Sequence, residues 1–199
     1  GVTSFQDAGA DFATIDFFKQ LEGEGALPIR LYVMVRGESN AQMEKLLPAY
    51  LMTAEENDFL TVRSIKRQLD GALGAHGAWL LEPYVDLPST SGLVLESVED
   101  IEETARLAMK YGYQVNTHAI GDRANRETLD LYQRAFTTAL NTVEEPDANL
   151  SQDSVQDLRW RVEHAQHIDS ADVPRFGELG VIAAIQGVHC TSDGPWVPS

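Results

Sequence analysis

Short apolar, β-prone runs alternate with amphipathic segments along the whole chain. The apolar runs predict six strands, over Val2–Phe5, Ile29–Arg36, Leu60–Gln68, Gln114–Ala119, Arg159–Glu163 and Val181–Gln186. The amphipathic segments predict five helices, over Phe12–Glu22, Ala41–Leu51, Ser97–Tyr111, a stretch that begins at Arg123, and Ser170–Leu179. Two long stretches, Leu69–Glu96 and Asn141–Asp157, are expected to be loops.

Two of the helices have clear signals of their own. In Ser97–Tyr111, Ser97 is a suitable N-cap and Asp100 follows three residues later, an acidic relative of the capping box. The buried face predicted for this helix consists of Ile101, Ala105 and Ala108. The helix that begins at Arg123 has Asp122 as its expected cap. Its predicted buried face consists of Leu129, Tyr132, Phe136 and Leu140.

Regular alternation of strands and helices favours a parallel sheet in an α/β fold. A doubly wound sheet would place a glycine-rich phosphate turn after its first strand, and Gly1–Ala10 contains none. A complete (β/α)8 barrel needs about 250 residues. Six strands in 199 residues therefore predict a partial (β/α)8 TIM barrel of about six βα units, forming one domain over residues 1–199.

Composition and charge limit the classes of partner that are expected. The chain carries 31 acidic and 15 basic residues, a formal net charge of −16. An acidic surface repels phosphate backbones, so nucleic acid is not expected as a partner, and solubility is the simplest meaning of the charge. No apolar stretch reaches the ~18 residues of a membrane span, so no membrane association is expected.

Cysteine usage bears on the compartment. The single cysteine, Cys190, makes an intrachain disulfide impossible. This is compatible with a reducing compartment, and the cytoplasm is the expected location. The chain begins at Gly1, without a methionine and inside a predicted strand. The absence of a signal peptide therefore carries no weight.

Two histidines stand at equivalent points of consecutive strands. His118 ends the run Gln114–Ala119, and His164 follows Arg159–Glu163. In a (β/α) barrel the carboxyl ends of the strands form the active site, so the two imidazoles are expected side by side. Neutral imidazole is a good ligand for Zn²⁺. A buried histidine bonded to the backbone is the alternative interpretation of each.

The other three histidines carry weaker signals. His189 follows the last predicted strand and is a candidate catalytic residue, able to contact substrate, polarise a carbonyl or stabilise charge in the transition state. An exposed loop histidine is the alternative. A loop position or an indirect role is favoured for His167, three residues after His164. His76 lies in a glycine-rich loop and receives no role.

Lys66 is a third candidate ligand. It lies in the predicted strand Leu60–Gln68, where a lysine is costly to bury unless it is paired or modified. Carbamylation of its amine would create an anionic oxygen ligand able to bridge two metals. A strand-end lysine that reaches solvent is the alternative.

These motifs together resemble the amidohydrolase superfamily and, within it, the YtcJ-like or amidohydrolase-3 group, which includes N-substituted formamide deformylases. The resemblance covers nearly the whole chain and follows the family order. The matching segments are Gly1–Gly9, Ile65-Lys66, Asp70–Gly74, Glu82-Pro83-Tyr84, His118–Ala124, Arg161–Gln166 and Gln186–Asp193. The combination of His-Ala-Ile-Gly-Asp with Glu-His-Ala-Gln is specific to this family.

The resemblance implies a metal site. The family fold is a (β/α)8 barrel, usually with a small β-sandwich. Its metal ligands are His-x-His on strand 1, a lysine, often carboxylated, on strand 4, histidines on strands 5 and 6, and an aspartate on strand 8. By this resemblance Lys66, His118 and His164 are metal ligands, and His189 lies near substrate. One or two divalent ions, with zinc expected, would be the cofactor.

The chain departs from the family pattern at both ends. It contains no His-x-His, and Asp193 comes too early to be the strand-8 aspartate, which is also the expected general base. The chain therefore resembles strands 2 to 7 of the barrel without the β-sandwich. The implied function is metal-dependent hydrolysis of C–N bonds other than ordinary peptide bonds, in a small-molecule amide, formamide or cyclic amide. The fragment alone is expected to be inactive.

Two other functions stay open at this stage. The chain could be a non-catalytic fragment or scaffold that associates through open sheet edges, as a homo-oligomer, because unpaired strand edges invite pairing. It could also belong to a barrel enzyme without metal, in which His118 and His164 act as acid and base. Metal content and sensitivity to chelators distinguish these functions.

Overall fold

The computed structural model describes residues 1–53, 59–141 and 157–194. Within them six strands alternate with helices, and the order of the strands in the sheet is their order in the chain. The strands are β1 (Ser4–Ala10), β2 (Arg30–Val35), β3 (Leu60–Gln68), β4 (Gln114–Ala119), β5 (Arg161–His164) and β6 (Ile182–Ala184). The helices are α1 (Phe12–Gly23), α2 (Asn40–Tyr50), α3 (Val98–Tyr111), α4 (Asp122–Asn141), α5 (Val173–Leu179) and α6 (His189–Ser192). None of these helices is long and apolar enough to cross a membrane.

The chain divides into two compact units, of which the first comprises residues 1–66 and 106–115. In this unit β1 pairs with β2, and β2 with β3, all in parallel. The core beneath the strands is fully buried and consists of Ile15, Val33, Val35, Met43, Leu47, Leu60 and Val62. Local signals begin both long helices: Asp11 caps α1, and Ser39 forms a capping box with Gln42 at α2.

The second unit comprises residues 67–105 and 116–199. Here β5 pairs in parallel with β4 on one side and β6 on the other. Trp160, fully buried, packs edge-on against Tyr132 and Phe136 of α4, with ring centroids 4.9 Å apart in both pairs. The predicted inner face of α4 is thereby confirmed at Leu129, Tyr132 and Phe136, while Leu140 is only half-buried.

The stretch between β3 and α3 is irregular, as predicted. Backbone hydrogen bonds nevertheless join its two ends and its two sides. The amide of Leu95 donates to the carbonyl of Leu69 at its neck, and the amide of Leu80 donates to Ser91. A small core of Leu73, Ala78, Tyr84 and Ile120 fills its interior. The loop therefore has a fixed shape at the carboxyl end of β3, although it contains only one 3-10 turn, over Leu73–Ala75.

Four predicted elements have a boundary that is wrong by two or more residues. The first strand is Ser4–Ala10 instead of Val2–Phe5, because its polar and small residues pair through the backbone and leave no apolar signal. Strand β5 begins at Arg161 because Arg159 has a left-handed φ of 55°. Only Ile182–Ala184 of the last predicted strand pairs with β5. Helix α5 begins at Val173, next to a proline suited to a first turn.

Other predictions fall partly or wholly outside these elements. The predicted loop Asn141–Asp157 lies almost entirely outside the described residues. The short helical turn α6 was not predicted, because its four residues are too few to show a helical period. The strands β3 and β4 have the predicted bounds.

Candidate metal centre

The carboxyl ends of β4 and β5 bring two imidazole rings into contact. In this parallel pair His118 lies opposite Glu163, and Ala119 lies opposite His164. The ring centroids of His118 and His164 are 4.3 Å apart, with the rings at 69° to each other. The two histidines that the sequence places at equivalent points of consecutive strands are therefore neighbours in the structure.

The backbone at the end of β5 turns His164 toward this contact. Alternation along the strand would place His164 on the same face as Val162. That face packs against helix α4, since Val162 is fully buried beside Thr117, whose hydroxyl accepts a hydrogen bond from Tyr132. Instead His164 has a φ of 75° and Ala165 a φ of 43°, both in the left-handed region. Two such residues that are not glycine store backbone strain, which is typical of functional sites.

A second cluster joins His164 to the segment that follows β6. The Nδ1 atom of His164 lies 2.6 Å from Oε1 of Gln186 and 3.1 Å from Nε2 of His189. On the other side of its ring, His189 places Nδ1 3.0 Å from Oδ2 of Asp193. The side-chain amide of Gln166 donates to the same carboxylate oxygen from Nε2 at 2.6 Å. The candidate catalytic histidine is thus fixed between a carboxylate and a candidate ligand.

Asp193 is suited to hold that histidine. Hydrogen bonds from Ser192, Gln166 and His189 lower the pKa of the Asp193 carboxyl, the Ser192 contribution being the largest. A carboxylate that stays ionised near neutral pH keeps its oxygen as an acceptor, which favours a proton on Nδ1 of His189. In the sequence, Asp193 stands out only because it comes too early to be the strand-8 aspartate.

Asp70 is a second residue whose role the sequence analysis missed. Its side chain is fully buried just after β3. The carboxylate accepts hydrogen bonds from three backbone amides, those of Trp79 at 2.9 Å, Ile120 at 3.0 Å and Gly121 at 2.8 Å. Its Oδ1 atom also lies 3.5 Å from Nε2 of His118. One carboxylate therefore fixes both the long loop and the turn beside a candidate ligand.

The pKa of Asp70 reflects this environment. Burial raises it to about 6, and the backbone hydrogen bonds from Gly121, Trp79 and Ile120 oppose the rise. The available sequence signal was an Asp-Gly pair directly after a predicted strand, at the carboxyl edge where barrel active sites lie. Nothing in the sequence indicated that the amides of residues 120 and 121 would be its partners.

The turns after β4 and β5 are tied to each other through Asn125. This buried side chain donates to the carbonyl of Gly121 at 2.9 Å and to that of His167 at 3.0 Å. The amide of His167 in turn donates to the carbonyl of Ile120 at 2.9 Å. His167 therefore takes part in the site through its backbone, in line with the indirect role expected for it.

Two further residues considered from the sequence are Lys66 and His76. Lys66 belongs to the first unit, where it lies in β3 with only 7% of its surface exposed. The alternative of a strand-end lysine that reaches solvent does not fit this burial. His76, to which no role was assigned, lies in the long loop with Nε2 2.9 Å from Asp86 and its ring edge-on to Tyr84.

The donor chemistry of this cluster fits a zinc ion in part. Zinc binds imidazole nitrogens at ~2.0–2.1 Å in tetrahedral sites, so two ligand nitrogens lie roughly 3.3 Å apart. The 3.1 Å between Nδ1 of His164 and Nε2 of His189 is close to that spacing, but His189 is the candidate for contact with substrate and not a candidate ligand. However, the described residues contain no group of three or more His, Cys, Asp or Glu arranged to hold a metal ion.

Comparison with known proteins identifies the fold. A model of the amidohydrolase family matches residues 1–199. The chain is also similar to the crystal structure of an uncharacterized metal-dependent hydrolase from Pyrococcus furiosus, with a TM-score of 0.72 and 27% sequence identity, over 96% of this chain and 35% of that one. The predicted partial α/β barrel and the resemblance drawn from the motifs are both confirmed.

Curated relatives are longer than this chain. The chain is 30% identical over 184 residues to the putative amidohydrolase YtcJ of Bacillus subtilis (strain 168), which covers 90% of this chain and 30% of that protein. It is 33% identical over 137 residues to Protein LONG AFTER FAR-RED 3 of Arabidopsis thaliana, which covers 69% of this chain and 21% of that protein. The chain thus spans less than a third of either relative.

Proposed function

The chain belongs to the amidohydrolase family, and from that membership we propose that it carries part of the active site of a metal-dependent hydrolase. The reaction proposed is cleavage of C–N bonds other than ordinary peptide bonds, in a small amide, formamide or cyclic amide. One observation carries the proposal: the rings of His118 and His164 meet at the carboxyl ends of neighbouring parallel strands. Barrel enzymes place their chemistry at this edge.

Three side chains would hold the metal, for which we propose one or two zinc ions. His118 and His164 would bind as neutral imidazoles. Lys66, of which only 7% of the surface is exposed, would be the third ligand through a carbamate on its amine, as the resemblance to the family implies. A bound zinc ion would lower the pKa of its water toward ~7 and supply hydroxide at neutral pH.

His189 would act on the substrate carbonyl. Asp193 holds the proton on Nδ1 of this ring, so Nε2 is the atom that faces His164 and Gln186. When His189 is protonated, Nε2 becomes a donor and can stabilise the oxyanion that develops on the substrate. Asp193 stabilises the resulting imidazolium, as a carboxylate does for a paired histidine.

The 199 residues alone are expected to turn over little substrate. The second unit contributes two adjacent imidazoles and His189, and no cluster of three or more potential ligands is assembled among the described residues. By the resemblance to the family, the general base would be an aspartate on strand 8, and we assign no residue of this chain to that role. Strong amidase turnover by the 199 residues alone would contradict this part of the proposal.

The test is hydrolysis by the natural gene product that contains this chain. A panel of N-formyl amines, linear amides and cyclic amides is assayed for amine release, with and without a chelator. We expect activity on at least one class, lost with the chelator and restored by zinc. His189→Gln should lower kcat by at least about 100-fold, the usual size of the loss of one donor to an oxyanion. His76→Gln, in the exposed loop, should leave kcat unchanged.

Chelator-insensitive hydrolysis would contradict the proposal. That result would favour the metal-free alternative, in which His118 and His164 exchange protons with substrate as acid and base. No hydrolysis of any member of the panel by the zinc-loaded protein would contradict the proposed substrate class.

A second candidate function is supported by the exposed apolar residues of the outer strands. Phe5 on β1 is 55% exposed, Ile182 on β6 is 42% exposed, and Ile185 just after β6 is 72% exposed. Strands with such edges invite pairing with another chain, so a homo-oligomeric scaffold is the alternative to catalysis. Sedimentation velocity over a range of concentrations tests it. A zinc-free oligomer that dissociates in Phe5→Lys would favour the scaffold, and a zinc-loaded monomer would exclude it.

A further inference from the structure

The short helix that begins with His189 has little apolar packing to hold it in place. Helix α6 consists of His189–Ser192, and none of its residues is buried. Most helices in proteins are stabilised by packing of an apolar face, which a helix without buried residues does not have. Asp193 follows α6 directly and is itself only partly buried. The position of His189 therefore depends largely on the hydrogen bonds that this segment makes.

One of these hydrogen bonds joins the segment to the turn after β5. Nε2 of Gln166 donates to Oδ2 of Asp193 at 2.6 Å, across 27 positions of the chain. The same Oδ2 atom lies 3.0 Å from Nδ1 of His189. Gln166 thus holds the carboxylate oxygen that contacts the His189 ring.

The partners of the Gln166 side chain determine how its amide is oriented. An ionised carboxylate can only accept hydrogen bonds, so the nitrogen of the amide must face Asp193. Rotation of the amide by 180° would place Oε1 against a carboxylate oxygen, which is repulsive. The Oε1 atom is buried and has no hydrogen-bond partner among the described residues. The bond to Asp193 is therefore charge-assisted, a class stronger than a bond between neutral groups.

The opposite edge of the His189 ring contacts a candidate ligand. Nε2 of His189 lies 3.1 Å from Nδ1 of His164, and the centroids of the two rings are 5.3 Å apart. Gln166 directly follows His164 and Ala165, the two residues with left-handed φ. The turn that presents the His164 ring therefore also presents the side chain that holds Asp193, so one short stretch of chain governs the placement of both rings.

We propose that Gln166 is a positioning residue, which holds Asp193 and through it keeps the ring of His189 against that of His164. The benefit of this arrangement for hydrolysis rests on the proposed function, in which His189 stabilises the developing oxyanion, whereas the positioning itself does not. Such stabilisation depends on a donor that is held in place before the reaction begins. Gln166 acts on Asp193 and needs no contact with substrate or metal.

The direct test is a contact between protons of the His164 and His189 rings, measured as a nuclear Overhauser effect in the chain labelled with 13C- and 15N-histidine. A chelator is present, so that no metal contributes to the contact. The wild type should show the effect, and His189→Gln identifies the signal by removing it. A folded wild type without the effect overturns the proposal.

Variants at position 166 separate the hydrogen bond from the space that the side chain fills. Gln166→Glu keeps the size of the side chain but places a second carboxylate against Asp193, so the contact between the rings should be lost. Addition of Asp193→Asn supplies an amide that can donate to the new carboxylate, and the contact should return in this double variant. The control is Gln20→Ala, which removes an amide that donates to the carboxylate of Glu24 at 2.9 Å. That variant should leave the contact unchanged.

Two results with folded variants would contradict the positioning role. One is a ring contact that persists in Gln166→Glu, and the other is a double variant that does not regain the contact. If Gln166→Glu does not fold, Gln166→Ala replaces it, because it removes the donor without adding a charge. The contact should be lost in Gln166→Ala as well, and its persistence would overturn the proposal.

The activity of the natural gene product separates this inference from the proposed function. Gln166→Glu should lower kcat by about 10- to 100-fold, the range expected when a catalytic group is misplaced, with zinc content and KM little changed. Loss of the ring contact without loss of kcat would support the positioning role of Gln166 and contradict the role proposed for His189.

Discussion

At the scale of single residues, the site is held by backbone contacts more than by pairs of side chains. Asp70 binds three amides, and Asn125 binds the carbonyls of two turns. The strained φ of His164 allows its ring to reach His118. Each of these arrangements fixes an imidazole before any ligand arrives, which is the condition for strong metal binding and for catalysis.

The close approach of Gly121 to the long loop makes a clear prediction for stability. A Cβ atom at Gly121 would lie 2.0 Å from the carbonyl oxygen of Trp79, so backbone would have to move. Gly121→Ala should lower the free energy of unfolding by about 3 kcal/mol, the upper range for overpacking. Gly177→Ala, in helix α5 with open space around it, should change stability by at most about 1 kcal/mol. If urea denaturation showed the same change in unfolding free energy for Gly121→Ala and Gly177→Ala, this account of the turn would be contradicted.

The lowered pKa of His167 leads us to predict that stability depends on pH. Burial lowers its pKa below the ordinary value of 6.5, against the opposing charges of Asp122 and Asp193. The folded protein therefore binds the proton more weakly than the unfolded chain. The stability contributed by the neutral ring is complete above pH 6.5 and is lost as the pH falls through the lowered, folded-state pKa.

The measurement compares unfolding free energies of wild type and His167→Gln from about pH 7 to pH 5, the range in which histidine titrates. The wild type should lose stability more steeply than the variant on acidification. His76→Gln, in an exposed loop, serves as the control and should follow the wild type. Parallel curves for wild type and His167→Gln would show that burial does not shift this pKa.

The sequence indicates the candidate ligands better than it indicates the residues and backbone geometry that hold them in place. His118, His164 and His189 are recognisable because each follows a short apolar run at the active edge of a barrel. Asp70 meets the amides of Ile120 and Gly121 across about 50 positions of the chain. Such contacts depend on tertiary packing, and the left-handed φ of His164 depends on the same packing, so neither shows in a local pattern.

At the scale of elements, α4 and α5 are joined by a buried carboxylate. Asp172, with 4% of its side chain exposed, accepts hydrogen bonds from Arg126 at 2.8 Å and Arg175 at 2.9 Å. By contrast, Arg134 and Glu102 join α4 to α3 at 2.8 Å with 48% and 41% of their side chains exposed. The two links have similar geometry but very different exposure to water.

This difference predicts unequal costs of removing each carboxylate. Asp172→Ala should cost about 2–3 kcal/mol, because it strands partly buried guanidinium groups. Glu102→Ala should cost less than about 1 kcal/mol, because water screens an exposed pair. Thermal or urea denaturation of both variants measures the loss of unfolding free energy in each. Equal losses in Asp172→Ala and Glu102→Ala would contradict the prediction.

Helices and strands are predicted correctly where the sequence shows a periodic pattern of hydrophobic residues or a capping residue. The inner face of α3, formed by Ile101, Ala105 and Ala108, is fully buried as its spacing predicts. Strand β1 was misplaced because Gln6, Asp7 and their small neighbours pair through the backbone alone. Main-chain hydrogen bonds form in every strand, so a strand whose side chains are polar or small gives no hydrophobic signal.

At the scale of the whole molecule, family membership and strand order identify a section of an amidohydrolase-family barrel. The chain spans 30% of the putative amidohydrolase YtcJ and 35% of the Pyrococcus furiosus hydrolase chain. Within that section the parallel strands bring two histidines together at their carboxyl ends. We propose that these two histidines are ligands of one metal centre.

The zinc content of the chain tests this proposal most directly. The chain is equilibrated by dialysis against zinc, and bound metal is measured in wild type, in the double variant His118→Gln/His164→Gln, and in His76→Gln as control. The account predicts near-stoichiometric zinc in the wild type and in the control, and none in the double variant. A wild type without zinc, or a double variant that keeps it, would contradict the proposal that His118 and His164 are ligands of one metal centre.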